Sequence, residues 1–235
     1  MYFFSKKPNP PVLGFPFKTD VHAHLIPGID DGPSTIQESI AMIQKLYDLG
    51  YRTLTATPHV FSDFYPNSSQ QILDGLSYLQ KEVASAGIPI KIKGGAEYFL
   101  DQAFEELLDT EPLLTINDNL LLIEMSSYGA PLNLYEIIQK IRQKGYQPVL
   151  AHPERYVFLT NSDYEKLLLA GCLFQLNIMS VQGYYGKYVQ KQAFRLIKND
   201  CTHFIGTDAH SLAHVELITK LVGTKFFNQL SLHHT

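Results

Sequence analysis

The chain has 235 residues, 45% of them hydrophobic and 18% charged, with a formal net charge of −4. That length accommodates one domain with a full core, and the negative balance argues against a nucleic-acid surface. Two cysteines exclude a disulfide framework, and Cys172 and Cys201, each opening an apolar run, read as buried thiols of a reducing cytoplasm.

Residues 1–17 begin Met1, Tyr2, Phe3, Phe4 and then turn to lysines and prolines, the reverse of a signal peptide, so they read as a leader or strap. No stretch approaches the roughly 18 to 20 apolar residues of a membrane span. The first strand, near residue 20, carries His22 and His24, and residues i and i+2 of a strand share a side. A capping-box pattern starting at Ser34 opens a helix whose Ile36, Ile40, Ile43 and Leu46 recur at helical spacing until Gly50. A β-branched strand follows from Tyr51 and stops at Pro58, leaving His59 just past its end.

A helix from about Ser69 to Gly87 leads to a strand near 91 that ends in Gly94, Gly95 and Glu97. A short helix at 101–109 precedes a strand near 121 ending in Glu124, and the helix from Asn133 stops at Gly145. A strand near 149 ends in His152. Helices at 162–170 and 187–199 alternate with strands at 172–178 and 202–207, the last followed by Asp208 and His210. Seven strands alternating with helices predict a parallel sheet, closed or nearly closed into a barrel, within one domain over 18–235.

His22, His24, His59, Glu97, Glu124, His152, Asp208 and His210 all fall at or near C-terminal strand ends, the face on which parallel barrels build active sites. Imidazole and carboxylate ligands without cysteine suit Mn²⁺, Fe²⁺ or Zn²⁺. More than six ligands imply more than one ion, and ions about 3.5 to 4 Å apart activate water and clamp the oxygens of an in-line phosphoryl displacement. Of the four arginines, Arg52 precedes a strand and Arg142 and Arg195 lie in helices, so Arg155 alone is placed to hold a phosphate with its planar fork or to pair with a loop acid such as Glu154.

His22-Ala23-His24, Asp30-Asp31-Gly32, Thr57-Pro58-His59, Gly95-Ala96-Glu97, Ile123-Glu124, Ala151-His152-Pro153-Glu154-Arg155 and Thr207-Asp208-Ala209-His210 resemble, in order and spacing, the polymerase-and-histidinol-phosphatase (PHP) superfamily. Within it the chain is most similar to the bacterial manganese-dependent tyrosine-protein phosphatases of capsule and exopolysaccharide loci. The resemblance implies a distorted seven-stranded β/α barrel and a three-ion centre, Mn²⁺ by preference. It adds Asp31 as a ligand and catalytic residue to the eight above, and gives Arg155 the role of phosphate clamp. The implied substrate is a phosphotyrosine protein, the tyrosine-rich tail of a membrane kinase controlling polysaccharide export.

The pattern departs after His210, where relatives often carry an arginine and this chain reads Ser211, Leu212, Ala213, His214. His214 is therefore a candidate phosphate contact or leaving-group acid, or simply a helix-surface histidine. Tyr184 and Tyr185 are candidates for stacking on the substrate ring, or packing residues. A phenol of pKa about 10 leaves with little protonation, which suits phosphotyrosine. A histidinol-phosphate-type phosphatase is the same-class alternative, and a non-catalytic binding subunit the other.

Overall fold

The computed structural model describes residues 17–222 and 224. In chain order it contains β1 (Thr19–Ala23), α1 (Ile36–Leu49), β2 (Thr53–Ala56), β3 (His59–Val60), α2 (Ser69–Ser85), β4 (Lys91–Gly94), β5 (Glu97–Phe99), α3 (Gln102–Thr110) and β6 (Leu120–Glu124). There follow α4 (Leu134–Gln143), β7 (Gln147–Ala151), a 3₁₀ turn (Pro153–Arg155), α5 (Asn161–Leu169), β8 (Leu173–Asn177), α6 (Ile178–Gln182), α7 (Lys187–Lys198), β9 (Phe204–Gly206) and α8 (Leu212–Leu221). Of the expected leader only Phe17 is described, and it is buried; the remainder of that expectation lies outside the described residues.

The helices start where side chains can satisfy their first amides. Thr35 caps α1 in a reciprocal box with Glu38, one residue later than the expected Ser34, and Ser68 with Gln71 and Thr160 with Asp163 do the same for α2 and α5. None of the described helices is long and apolar enough to cross a membrane. Of the two expected buried thiols, Cys172 is buried, whereas Cys201 is only half-buried because its turn after α7 lies at the surface.

The strands divide more finely than the seven expected. Among the described residues there are nine, in a three-stranded sheet β1-β2-β4 and a six-stranded sheet β3-β5-β6-β7-β8-β9, with every neighbouring pair parallel. The physical reason lies at two interruptions. Pro58, which has no N–H to give to a ladder, separates β2 from β3. Gly95 separates β4 from β5, and the chain changes partners across it: Gly95 N donates to Ala56 O (2.9 Å), then Glu97 N donates to Pro58 O (3.0 Å). The far edges approach at Ala23 and Ala209, where His24 N donates to Ala209 O and Asp208 N to His22 O.

The strands curl, so alternate residues feed different cores. Leu121, Ile123, Leu150, Phe174 and Leu176 join the large core under the helices, whereas Leu122, Val149 and Ala151 form a small separate cluster with Ile116 on the other face of the sheet. Sheet closure and strand interruption both act on the C-terminal ends, where the metal-type residues were expected.

Candidate metal centre

The interruptions bring the ligand-type residues together. With β3 and β5 paired in register, His59 lies opposite Glu97, and Glu124 lies opposite Phe99 at the next strand. His22 on β1 and His24 just past it point to one side as their spacing requires, with Nε2 atoms 3.2 Å apart. All nine expected ligand positions meet at this end of the sheet.

Their atoms form three overlapping groupings: His22, His24, Glu97 and Asp208; His24, Asp31, His59 and His210; and His59, Glu97 and Glu124. Glu97 Oε2 is the hub, 3.1 Å from His22 Nε2, 3.2 Å from His59 Nδ1 and 3.4 Å from His24 Nε2. Asp208 Oδ1 is 3.4 Å from both His22 and His24 Nε2, and Asp31 Oδ1 is 3.4 Å from Nε2 of His59 and of His210. The His59 ring lies between two groupings, with Nδ1 also 2.9 Å from Glu124 Oε1. His152 belongs to no grouping and reaches the cluster through Nε2, 3.1 Å from Glu97 Oε1.

Three tests favour cations here. First, the buried atoms His59 Nδ1, Glu97 Oε2 and His152 Nδ1 have no hydrogen bond, although the first two lie near potential partners: their lone pairs converge instead of pairing. Second, other groups fix the tautomers. His22 Nδ1 donates to Gln175 Oε1 (2.7 Å), His24 Nδ1 to Asp30 Oδ2 (2.7 Å) and His210 Nδ1 to the Asp208 carbonyl (2.9 Å), which leaves each Nε2 as a free donor atom for a metal. Third, His152 and Asp208 hold positive φ of 36° and 49°, a strained backbone for such residues that aims both side chains into the cluster.

With protons as the only cations, burial works against charge on His24, but Asp30 and the nearby Asp208 and Glu97 hold it well above the usual histidine range. Burial and neighbouring His24 likewise oppose charge on His59, yet Glu97, Asp31 and Glu124 lift it to about 10. Burial favours the neutral acid at Asp31, but His210 and His59 hold it well below the usual carboxylate range. The cluster is a place where positive charge is wanted, and divalent ions can displace these protons.

Arg155 stands beside the cluster. Its Nη1 donates to Asp208 Oδ2 (2.8 Å) and its guanidinium covers the Tyr185 ring at 4.6 Å. The expected alternative, an ion pair with a loop acid, therefore forms with Asp208, just past β9, and not with Glu154. Glu154 turns inward to accept from Ser180 Oγ (2.7 Å) and Asn177 N (3.0 Å), and burial pushes its carboxyl up to about 7. Arg155, Tyr184, Tyr185 and His214 line one cavity of about 820 Å³ with Asp31, His59 and Glu124. In it His214 accepts from His210 N through Nδ1 (3.3 Å), and its Nε2 lies 3.3 Å from Tyr184 Oη.

Sequence reasoning passed over Gln175, Asn177 and the role of Asp30. Asn177 Nδ2 donates to Asp208 Oδ2 (2.8 Å) and so shares with Arg155 the work of holding that carboxylate. The signal was present: Gln175 and Asn177 are polar residues two apart in an otherwise apolar strand, and both are fully buried.

The chain is 30% identical to the tyrosine-protein phosphatase YwqE of Bacillus subtilis (strain 168) over 82% of its own length and 77% of the relative's. It is 28% identical to the tyrosine-protein phosphatase CpsB of Streptococcus pneumoniae, over 82% and 83%. A solved structure from work on YwqE of Bacillus subtilis and CpsB of Streptococcus pneumoniae, described as unique metal-dependent tyrosine phosphatases, superposes with a TM-score of 0.78 at 27% identity, covering 89% of this chain and 90% of the other. The sequence model for capsular polysaccharide synthesis proteins of the CpsB/CapC type matches residues 18–220, a stretch that contains every residue of the cluster, and the chain belongs to that family.

Proposed function

We propose that this chain is a metal-dependent protein-tyrosine phosphatase and that His22, His24, Asp31, His59, Glu97, Glu124, His152, Asp208 and His210 hold its ions, three Mn²⁺ by preference. The observation that carries the reading is the set of three overlapping His/Asp/Glu groupings, joined through Glu97, His24 and His59, in a member of the CpsB/CapC family. If β2 with β3 and β4 with β5 each count as one interrupted strand, the nine strands become the seven of a distorted PHP barrel, and we take 18–235 as one domain.

Bound divalent cations supply activation of the attacking water and neutralise charge building on the phosphoryl oxygens. The chain's own residues do the rest. Gln175 and Asp30 fix the tautomers of His22 and His24. Asp208 and Tyr185 hold the Arg155 guanidinium at the cavity wall, with donors left to grip two phosphoryl oxygens. The departing phenolate, of pKa about 10, needs little protonation. His214 accepts from the His210 amide, so its remaining N–H at Nε2 is suited to donate a hydrogen bond at the cavity wall and poorly suited to full proton transfer.

The substrate we propose is the phosphotyrosine tail of a membrane kinase of polysaccharide export, met in the cytoplasm. The test is hydrolysis of a phosphotyrosine peptide beside histidinol phosphate by metal-stripped protein, before and after Mn²⁺, with His22→Ala as control. Peptide turnover that needs metal and is lost in the variant supports the reading. Preference for histidinol phosphate replaces it with a small-molecule phosphatase, and no turnover of either despite bound metal replaces it with a binding subunit.

A further inference from the structure

The cavity wall next to His59 is aromatic and firmly tied down. After β3 the chain makes a tight loop in which Phe61 N donates to Tyr65 O (3.0 Å) and Tyr65 N to Phe61 O (2.7 Å). Ser62 donates to Asp101 through both its amide (3.2 Å) and its hydroxyl (2.7 Å). Asn67 Nδ2 donates to the carbonyls of His59 and Ile29, 2.9 Å each. Ring packing adds to this: Phe61 stacks on Phe99 with centroids 3.9 Å apart, and Tyr65 stacks on His59 at 5.6 Å.

Phe64 sits on this fixed loop, its ring 5.0 Å from that of Phe61, yet it is 69% exposed. An aromatic ring that packs for stability buries its surface, and contact with Phe61 leaves most of this one uncovered. Phe64 lines the cavity that also holds Arg155 and several of the metal-type residues. Tyr128, which is 99% exposed, lines the same cavity. At about 820 Å³ the cavity has room for a whole side chain as well as a phosphate.

Building on the phosphotyrosine reading above, we propose that Phe61 and Phe64 form the ledge on which the substrate's aromatic ring stacks, with Phe64 as the residue that selects aryl over alkyl phosphate esters. Phe61 is placed by Phe99, two residues past Glu97, and lies two residues past His59, so the ledge is built on the strands that carry the candidate ligands. Face or edge contact with a phenyl ring gives an aryl ester an advantage that an alkyl ester cannot share.

The test measures kcat/KM of the metal-loaded full chain for phenyl phosphate, a phosphotyrosine peptide and glycerol 2-phosphate, in the wild type, Phe64→Ala and Phe64→Tyr. The ratio of aryl to alkyl kcat/KM is expected to fall about tenfold in Phe64→Ala, through KM, and to recover in Phe64→Tyr. Leu169→Ala, an exposed site at the end of α5, is the control for a surface change and keeps the wild-type ratio. Metal content equal to the wild type shows that the centre survives the substitution. An unchanged ratio in Phe64→Ala, or an equal loss on aryl and alkyl esters, overturns the ledge. A wild type without preference for aryl esters overturns the phosphotyrosine reading together with the ledge, and that result is visible before any substitution is made.

Discussion

Glu97 and His59 face each other in register across β5 and β3, with Glu97 Oε2 3.2 Å from His59 Nδ1. The same oxygen is 3.1 Å from His22 Nε2. This oxygen is buried without a hydrogen bond, and Glu97 belongs to two of the three ligand groupings, so it would help to hold ions bound in either. Glu97→Gln keeps the shape and removes the charge. It is expected to lower metal content by at least one ion per chain and kcat/KM by about 100-fold or more, measured by metal analysis and phosphopeptide hydrolysis. Full metal content with full activity would falsify the role of Glu97 as a ligand.

Arg155 combines a charge with a planar fork, and only the fork is lost in Arg155→Lys. The lysine retains attraction to phosphate but grips one oxygen instead of two, and it stacks poorly on Tyr185. A loss of about 10- to 100-fold in kcat/KM is expected, with metal content unchanged. Kinetics equal to the wild type at limiting and saturating substrate would remove Arg155 from the reaction.

Gly206 explains how His22 is kept in its tautomer. A Cβ at residue 206 would stand 2.6 Å from Gln175 Nε2 and 2.8 Å from His22 Cβ, so the glycine allows Gln175 to reach His22 Nδ1. Gly206→Ala and Gln175→Leu are both expected to weaken metal binding by about 10- to 100-fold. Competition with a chelator measures the effect, and wild-type affinity in Gln175→Leu would show that the hydrogen bond does not set the ring.

Eight of the candidate ligands were legible because each is a His, Asp or Glu at or near a strand end, and a parallel sheet gathers strand ends on one face; Asp31, in the long loop between β1 and α1, came only from the family resemblance. His22 and His24 needed only the two-residue period of a strand. The interruptions were less legible. Pro58 and Gly95 read as strand ends, but the two- and three-residue strands beyond them are defined by partners far away in sequence, as with His59 opposite Glu97. Gln175 and Asn177 were overlooked because their value depends on His22 on β1 and on Asp208 just past β9, which no local pattern links to β8. Phe64 carried no signal at all: its meaning comes from exposure at a cavity, and a sequence does not print exposure.

Protonation supplies the last prediction. In metal-free protein His59 is lifted to about 10 by Glu97, Asp31 and Glu124 against the effect of burial and His24, while an unfolded chain holds histidine near 6.5. The folded state therefore binds more protons than the unfolded state between those values. Its stabilisation from this group is fully present below about 6.5 and is lost as pH rises through about 10, by up to about 1.4 kcal/mol per pH unit. Metal binding runs the opposite way, because ions must displace the same protons and bind more weakly as pH falls. Thermal unfolding of stripped protein is expected to give a Tm that falls from pH 7 to pH 9.5, and added Mn²⁺ should raise Tm more at pH 9 than at pH 6. Calorimetry in buffers of different ionisation enthalpy should show protons released on binding. A metal-induced rise in Tm that is the same at both pH values, with no proton release, would mean that the imidazoles are already neutral and that the carboxylates do not hold His59 charged.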